Sequence, residues 1–121
     1  MADKIDSLSK AIRYGSLFVK PEQATCLSNN VDKGITGCAI GSAFYSISKD
    51  IPKTTNTGMA VVELECVFPW LQGLRITNPA LYQYAFQGRK YQGWAGLITD
   101  LFDNHDWTND QIADYLQEIG L

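Results

Sequence analysis

At 121 residues, with 45% apolar, 12% aromatic and 19% charged side chains and a net charge of −3, the chain is sized for one globular domain spanning 1–121 and lacks the polar tracts of a disordered protein. Its apolar runs are too short to span a bilayer, and the start Met1-Ala2-Asp3-Lys4-Ile5-Asp6 lacks the basic-then-apolar character of a signal peptide, so a cytoplasmic protein that does not engage membranes is the expectation. Three cysteines, Cys26, Cys38 and Cys66, form an odd set without a Cys-x-x-Cys pair, which argues for reduced thiols rather than a disulfide framework.

The charges are unevenly spread. Residues 100–121 hold Asp100, Asp103, Asp106, Asp110, Asp114 and Glu118 with no lysine or arginine. Such an acidic face repels duplex DNA and serves solubility equally well.

In chain order, Asp3 is placed to cap a first amphipathic helix running to about Tyr14, with Ile5, Leu8, Ala11 and Ile12 at helical spacing and Gly15 as its stop. Pro21 and then Ser28-Asn29-Asn30-Val31-Asp32-Lys33-Gly34 read as an irregular connection, with Leu17-Phe18-Val19 extended and partly buried. The least polar stretch, Gly37 to Ile47, is half small residues. It predicts a buried central helix over 37–49, capped by Thr36 and stopped before Ile51-Pro52, on which neighbouring backbones approach closely.

Met59 to Leu71 fits a helical face through Ala60, Leu64, Val67 and Phe68, and also a half-buried strand through Val62, Leu64, Cys66 and Phe68. The helix is the reading taken, since no strong partner strand is visible. Asn78-Pro79 opens a short helix to about Phe86. Trp94, Leu97, Ile98, Leu101 and Phe102 pattern a further helix, and Thr108 with Gln111 forms a capping box that opens a last one, carrying Ile112, Ala113, Leu116 and Ile119 inward and ending at Gly120. These elements predict an all-α fold of five or six short helices around the central one.

Cys38-Ala39-Ile40-Gly41-Ser42-Ala43 and His105-Asp106-Trp107-Thr108-Asn109-Asp110-Gln111-Ile112-Ala113-Asp114-Tyr115 together resemble an uncharacterised group of small bacterial and phage proteins with a Cys-Ala-x-Gly-Ala segment and a His-x-Trp-Thr-x-x-Gln-Ile-Ala-Asp tail. The two motifs cover about a fifth of the chain. That pattern carries Asn where this chain has Phe102 and Asp where it has Asn104. The resemblance implies a helical fold and a phage or prophage origin, and no activity.

Three groupings of residues could carry chemistry. Cys38, in the first turn of a helix, would feel the positive end of the helix dipole, with His105 as the sole histidine to serve as base, Asp103 or Asp106 to orient it, and the Gly37 and Cys38 amides as an oxyanion hole. A Cys/His hydrolase or transferase follows from that reading; a buried structural cysteine is the alternative. Cys26, Cys38, Cys66 and His105 add up to a Cys3His zinc set, but their spacing contains no knuckle, so no metal and no cofactor are expected.

The third grouping is Tyr82 to Trp94, in which Tyr84, Tyr91 and Trp94 interleave with Arg89 and Lys90. Aromatic faces stack on planar ligands and the cations neutralise phosphate, and the same composition suits a protein interface or a core. The overall expectation is a binding protein rather than an enzyme. It takes a small anionic, nucleotide-like ligand or a host protein through residues 82–94 and assembles as a homo-oligomer.

Overall fold

The computed structural model describes residues 5–30, 32–48, 51–77 and 91–121. Helix α1 (Leu8–Ser16) starts from Ser7, which has an extended backbone and whose Oγ accepts from the Lys10 amide at 3.3 Å. The start is therefore four residues beyond Asp3. Leu8, Ala11 and Ile12 face the core, as their spacing predicts. Gly15 does not end the helix but lies within it, where a Cβ would run into the carbonyl oxygen of Ser42. Only glycine lets this helix touch the central one backbone to backbone. Ser46 ties the two further by donating to the Ala11 carbonyl.

The central helix, α2 (Ala39–Ile47), is shorter than 37–49, and Cys38 rather than Thr36 is its N-cap. Thr36 belongs to a strand, and the all-α expectation is corrected here: the fold is mixed α/β. Strands β1 (Lys20–Pro21), β2 (Leu27–Asn30), β3 (Gly34–Gly37) and β4 (Thr54–Thr55) form a sheet in the order β1-β3-β2-β4, with β3 parallel to β1 and antiparallel to β2. Arg75–Thr77 (β5) and Tyr91–Gly93 (β6) pair as an antiparallel ribbon.

These strands are two to four residues long, and Leu-Ser-Asn-Asn and Gly-Ile-Thr-Gly show no apolar alternation. Burial is confined to one end of the β2–β3 ladder, at Leu27 and Gly37, so periodicity had nothing to register. Leu17 and Phe18 are exposed in a turn, and only Val19 is buried.

Helix α3 (Thr57–Val67) begins at Asn56, whose Oδ1 accepts from the Met59 amide at 2.8 Å. Residues 59–67 are therefore helical, and Pro69–Leu71 adds a single 3-10 turn that buries Leu71. The helix expected from Asn78 to Phe86 lies outside the described residues. Helix α4 (Trp94–Asn104) buries the five apolar residues that pattern it.

Helix α5 (Asn109–Glu118) carries the full capping box: Thr108 Oγ1 accepts from the Gln111 amide at 3.1 Å while Gln111 Oε1 accepts from the Thr108 amide at 2.8 Å. It docks on α1, where Arg13 pairs with Asp114 and approaches Asp110, so part of the acidic face is matched within the fold. The core joins Leu8 and Ile12 to Ile40, Leu64, Leu97 and Leu116. No helix among the described residues is long and apolar enough to cross a membrane.

Candidate functional site

The antiparallel register of β2 and β3 pairs Leu27 with Gly37. The pairing ends there, and just beyond it the Cys38 amide donates to the Cys26 carbonyl at 3.1 Å, which sets the two cysteines side by side. Both cysteines are free thiols in this structure.

The packing around the Cys26 carbonyl makes this approach possible. A Cβ at Gly37 or at Gly41 would collide with that oxygen, so two glycines form the surface on which residue 26 rests. The small residues of the central stretch thus serve two contacts, Gly41 against Cys26 and the Ser42 carbonyl against Gly15 of α1.

The two thiols have different chemical environments. Cys38 is 5% exposed and Cys26 is half-buried. A hydrogen bond from the Cys26 thiol stabilises the Cys38 thiolate, and the amides of Gly41 and Ile40 at the start of α2 add to it. Burial and the nearby Asp103 carboxylate oppose them, and the net result holds Cys38 down to about 7. Cys26 is pushed up instead, first by its hydrogen bond to Cys38, then by burial and by the charge on Cys38; the Thr57 hydroxyl at the start of α3 offsets part of this. The two sulfurs thus share a proton, and the amides at the start of α2 favour negative charge on Cys38.

The end of α4 holds the loop before Cys26. Asp103 Oδ1 accepts from the Ala24 amide at 3.0 Å, and Gln23 Nε2 donates to the Phe102 carbonyl at 3.0 Å and to Asp106 Oδ1 at 2.6 Å. Ala24 and Asp106 both sit in the left-handed region, at φ 63° and 56°. These contacts fix the backbone two residues before Cys26 in a conformation that a non-glycine residue adopts at a cost.

Behind Cys38, Ser42 Oγ donates to the Cys38 carbonyl at 3.1 Å, and Asn109 Nδ2 reaches Ser42 Oγ at 3.4 Å. The start of α5 is thereby joined to the start of α2.

The sequence-predicted residues fall as follows. Cys38 is in the site. His105, just past the end of α4, turns back along that helix, with Nε2 3.5 Å from Asp100 Oδ2, while Asp103 and Asp106 bind Ala24 and Gln23 instead of the imidazole. Trp94 is buried in the core. Arg89, Lys90 and Tyr84 lie outside the described residues, and Tyr91 is described only as a backbone position in β6.

Cys66 is exposed on α3, and no cluster of three or more His, Cys, Asp or Glu suited to a metal occurs among the described residues. The residue that sequence reasoning missed is Cys26. Its signal was the turn Asp32-Lys33-Gly34 between two short polar segments, with Gly34 at φ 78°, which marks a hairpin that brings residue 26 to residue 38. No family model matches the chain, and no curated protein and no solved structure matches it.

Proposed function

We propose that the protein is a thiol redox protein whose Cys26 and Cys38 interconvert between a dithiol and a disulfide. The observation that carries this reading is the placement of the two cysteines side by side just beyond the β2–β3 pairing, joined by the bond from the Cys38 amide to the Cys26 carbonyl, with Cys38 at the N-terminus of a helix. Disulfide formation requires one sulfur to be ionised and a second beside it, and the backbone bond between the two cysteines together with the depressed Cys38 favours both. A buried structural cysteine needs neither a thiol partner nor amides directed at its sulfur.

Cys38 is the nucleophile, because it stands at the N-terminus of α2, where the Gly41 and Ile40 amides favour its thiolate. Cys26 keeps its proton until the Cys38 sulfur has been oxidised, and then closes the bond.

The test is a count of free thiols in the folded protein, with peptide mapping, before and after a mild oxidant and again after dithiothreitol. Two of the three thiols should be lost and recovered together, Cys66 should stay free, and neither Cys26→Ser nor Cys38→Ser should show the paired loss. Thiols that stay free under every oxidant, or a cross-link that runs through Cys66, would overturn the proposal.

A further inference from the structure

The reading of a reversible disulfide leaves open what oxidises the pair and what reduces it, and the unequal burial of the two cysteines bears on both. We infer that the pair is oxidised at Cys38 by a small hydroperoxide and reduced at Cys26 by a thiol, so that the protein acts as a thiol-dependent hydroperoxide reductase. The inference rests on the proposed function above.

Oxidation by a disulfide would require the attacking sulfur and both sulfurs of the target to line up, with the leaving half of the target extending away from the nucleophile. Cys38 is 5% exposed, lies beside Cys26, and feels the charge of the Asp103 carboxylate. A bulky or anionic disulfide cannot reach that sulfur in line, whereas a hydroperoxide presents only an O–O bond and need carry no charge.

The step balances without further reagents. The Cys38 thiolate attacks the terminal peroxide oxygen, the O–O bond breaks, and the departing alkoxide or hydroxide takes up a proton. The peroxide is reduced to alcohol or water and Cys38 becomes a sulfenic acid. Cys26 then attacks the Cys38 sulfur as its own proton passes to the leaving hydroxide; the S–S bond forms, the S–O bond breaks, and water departs.

The return uses the other cysteine. Cys26 is the more exposed of the two, so an external thiolate attacks its sulfur and the S–S bond breaks. Cys38 leaves as the thiolate that the Gly41 and Ile40 amides stabilise, and a low-pKa thiol is the better leaving group. A second external thiol attacks the outer sulfur of the mixed disulfide; Cys26 leaves and regains its proton. The sum is one hydroperoxide and two thiols converted to one alcohol, one water and one disulfide.

The experiment treats the reduced full chain with hydrogen peroxide or with oxidised glutathione at equal concentration and follows formation of the Cys26–Cys38 bond by mass and peptide mapping. Peroxide should be faster by at least about tenfold. Cys26→Ser should give a Cys38 sulfenic acid that dimedone traps, and reduced glutathione added to the oxidised wild type should give a transient adduct on Cys26. Oxidised glutathione reacting as fast as peroxide, a first oxidation on Cys26, or a glutathione adduct on Cys38 would each overturn the inference while leaving the reversible disulfide standing. Failure of both oxidants to form the Cys26–Cys38 bond removes the reading beneath it as well.

Discussion

Gly41 meets Cys26 backbone to backbone: an added Cβ at residue 41 would overlap the Cys26 carbonyl oxygen. That oxygen also accepts the Cys38 amide, so one carbonyl positions the hairpin, the start of the central helix and the thiol pair. Gly41→Ala therefore forces two backbones apart and should cost about 2–3 kcal/mol, read by urea denaturation. It should also slow Cys26–Cys38 disulfide formation. Gly96→Ala provides the contrast, because Gly96 is an exposed position in α4 with nothing near its Cβ. There the same change should stabilise by roughly 0.5–1 kcal/mol. Equal effects at the two sites would contradict the close approach.

The capping box at Thr108 predicts a smaller and separable loss. Thr108→Ala removes the acceptor for the Gln111 amide and loosens the return bond from Gln111 to the Thr108 amide. About 1 kcal/mol should be lost, with the helix start frayed. Amide hydrogen exchange at residues 109–111 should rise while exchange in α2 is unchanged. Uniform loss of protection across the protein would mean that α5 unfolds with the core instead of fraying from its cap.

What could be read from the sequence follows the length of each element. The α4 and α5 patterns extend over ten or eleven residues, and in both cases the apolar spacing identified the helix; it gave the inner face of α4 in full and that of α5 except for Ile119, which caps the helix end and is exposed. Thr108 and Gln111 placed the start of α5 to the residue. The sheet left no comparable trace: β2 and β3 contribute four residues each, with burial at one end only, and β1 and β4 two each. Cys38 was visible because it opens a helix. Cys26 was not, since its closeness to Cys38 depends on the β2–β3 pairing and on Gly37 and Gly41 clearing space for its carbonyl. His105 was misleading in a different way: residue types suggested a base for Cys38, and local geometry gave the imidazole, just past the end of α4, to Asp100 five residues back on that helix.

Asp103 tests whether the charge layout at the site is real. Its carboxylate does two things, accepting the Ala24 amide and raising the Cys38 pKa. Asp103→Asn keeps an oxygen for the amide and removes the charge. The ultraviolet absorbance of the Cys38 thiolate should then titrate at lower pH than in the wild type, with the stability little changed. Asp103→Ala loses the hydrogen bond too, and Ala24 has less to hold it in the left-handed region; a loss of roughly 1 kcal/mol should follow. A Cys38 titration unchanged in Asp103→Asn would mean that the carboxylate is not acting on the sulfur.

The thiol pair also predicts how stability varies with pH in the reduced protein. Cys38 is depressed in the fold, to about 7 from an ordinary value of 9.0, so its contribution is fully present above about pH 9 and is lost as pH falls through about 7. Cys26 is raised in the fold, so its contribution is present below its ordinary value of 9.0 and fades as the unfolded chain ionises above that pH. Between about pH 7 and 9 the unfolded chain holds both thiol protons and the folded chain only one, which makes stability rise with pH. Above about pH 9 the unfolded chain releases both while Cys26 stays protonated in the fold, and stability declines. The pair alone thus gives a maximum near pH 9, with a rise on the order of 2 kcal/mol from neutrality because Cys38 is almost wholly buried. Urea denaturation under reducing conditions, measured across that window for the wild type and Cys38→Ala, reads the difference directly. The wild-type rise should vanish in the variant, and a parallel pair of curves would show that the thiolate at Cys38 is not held by the fold.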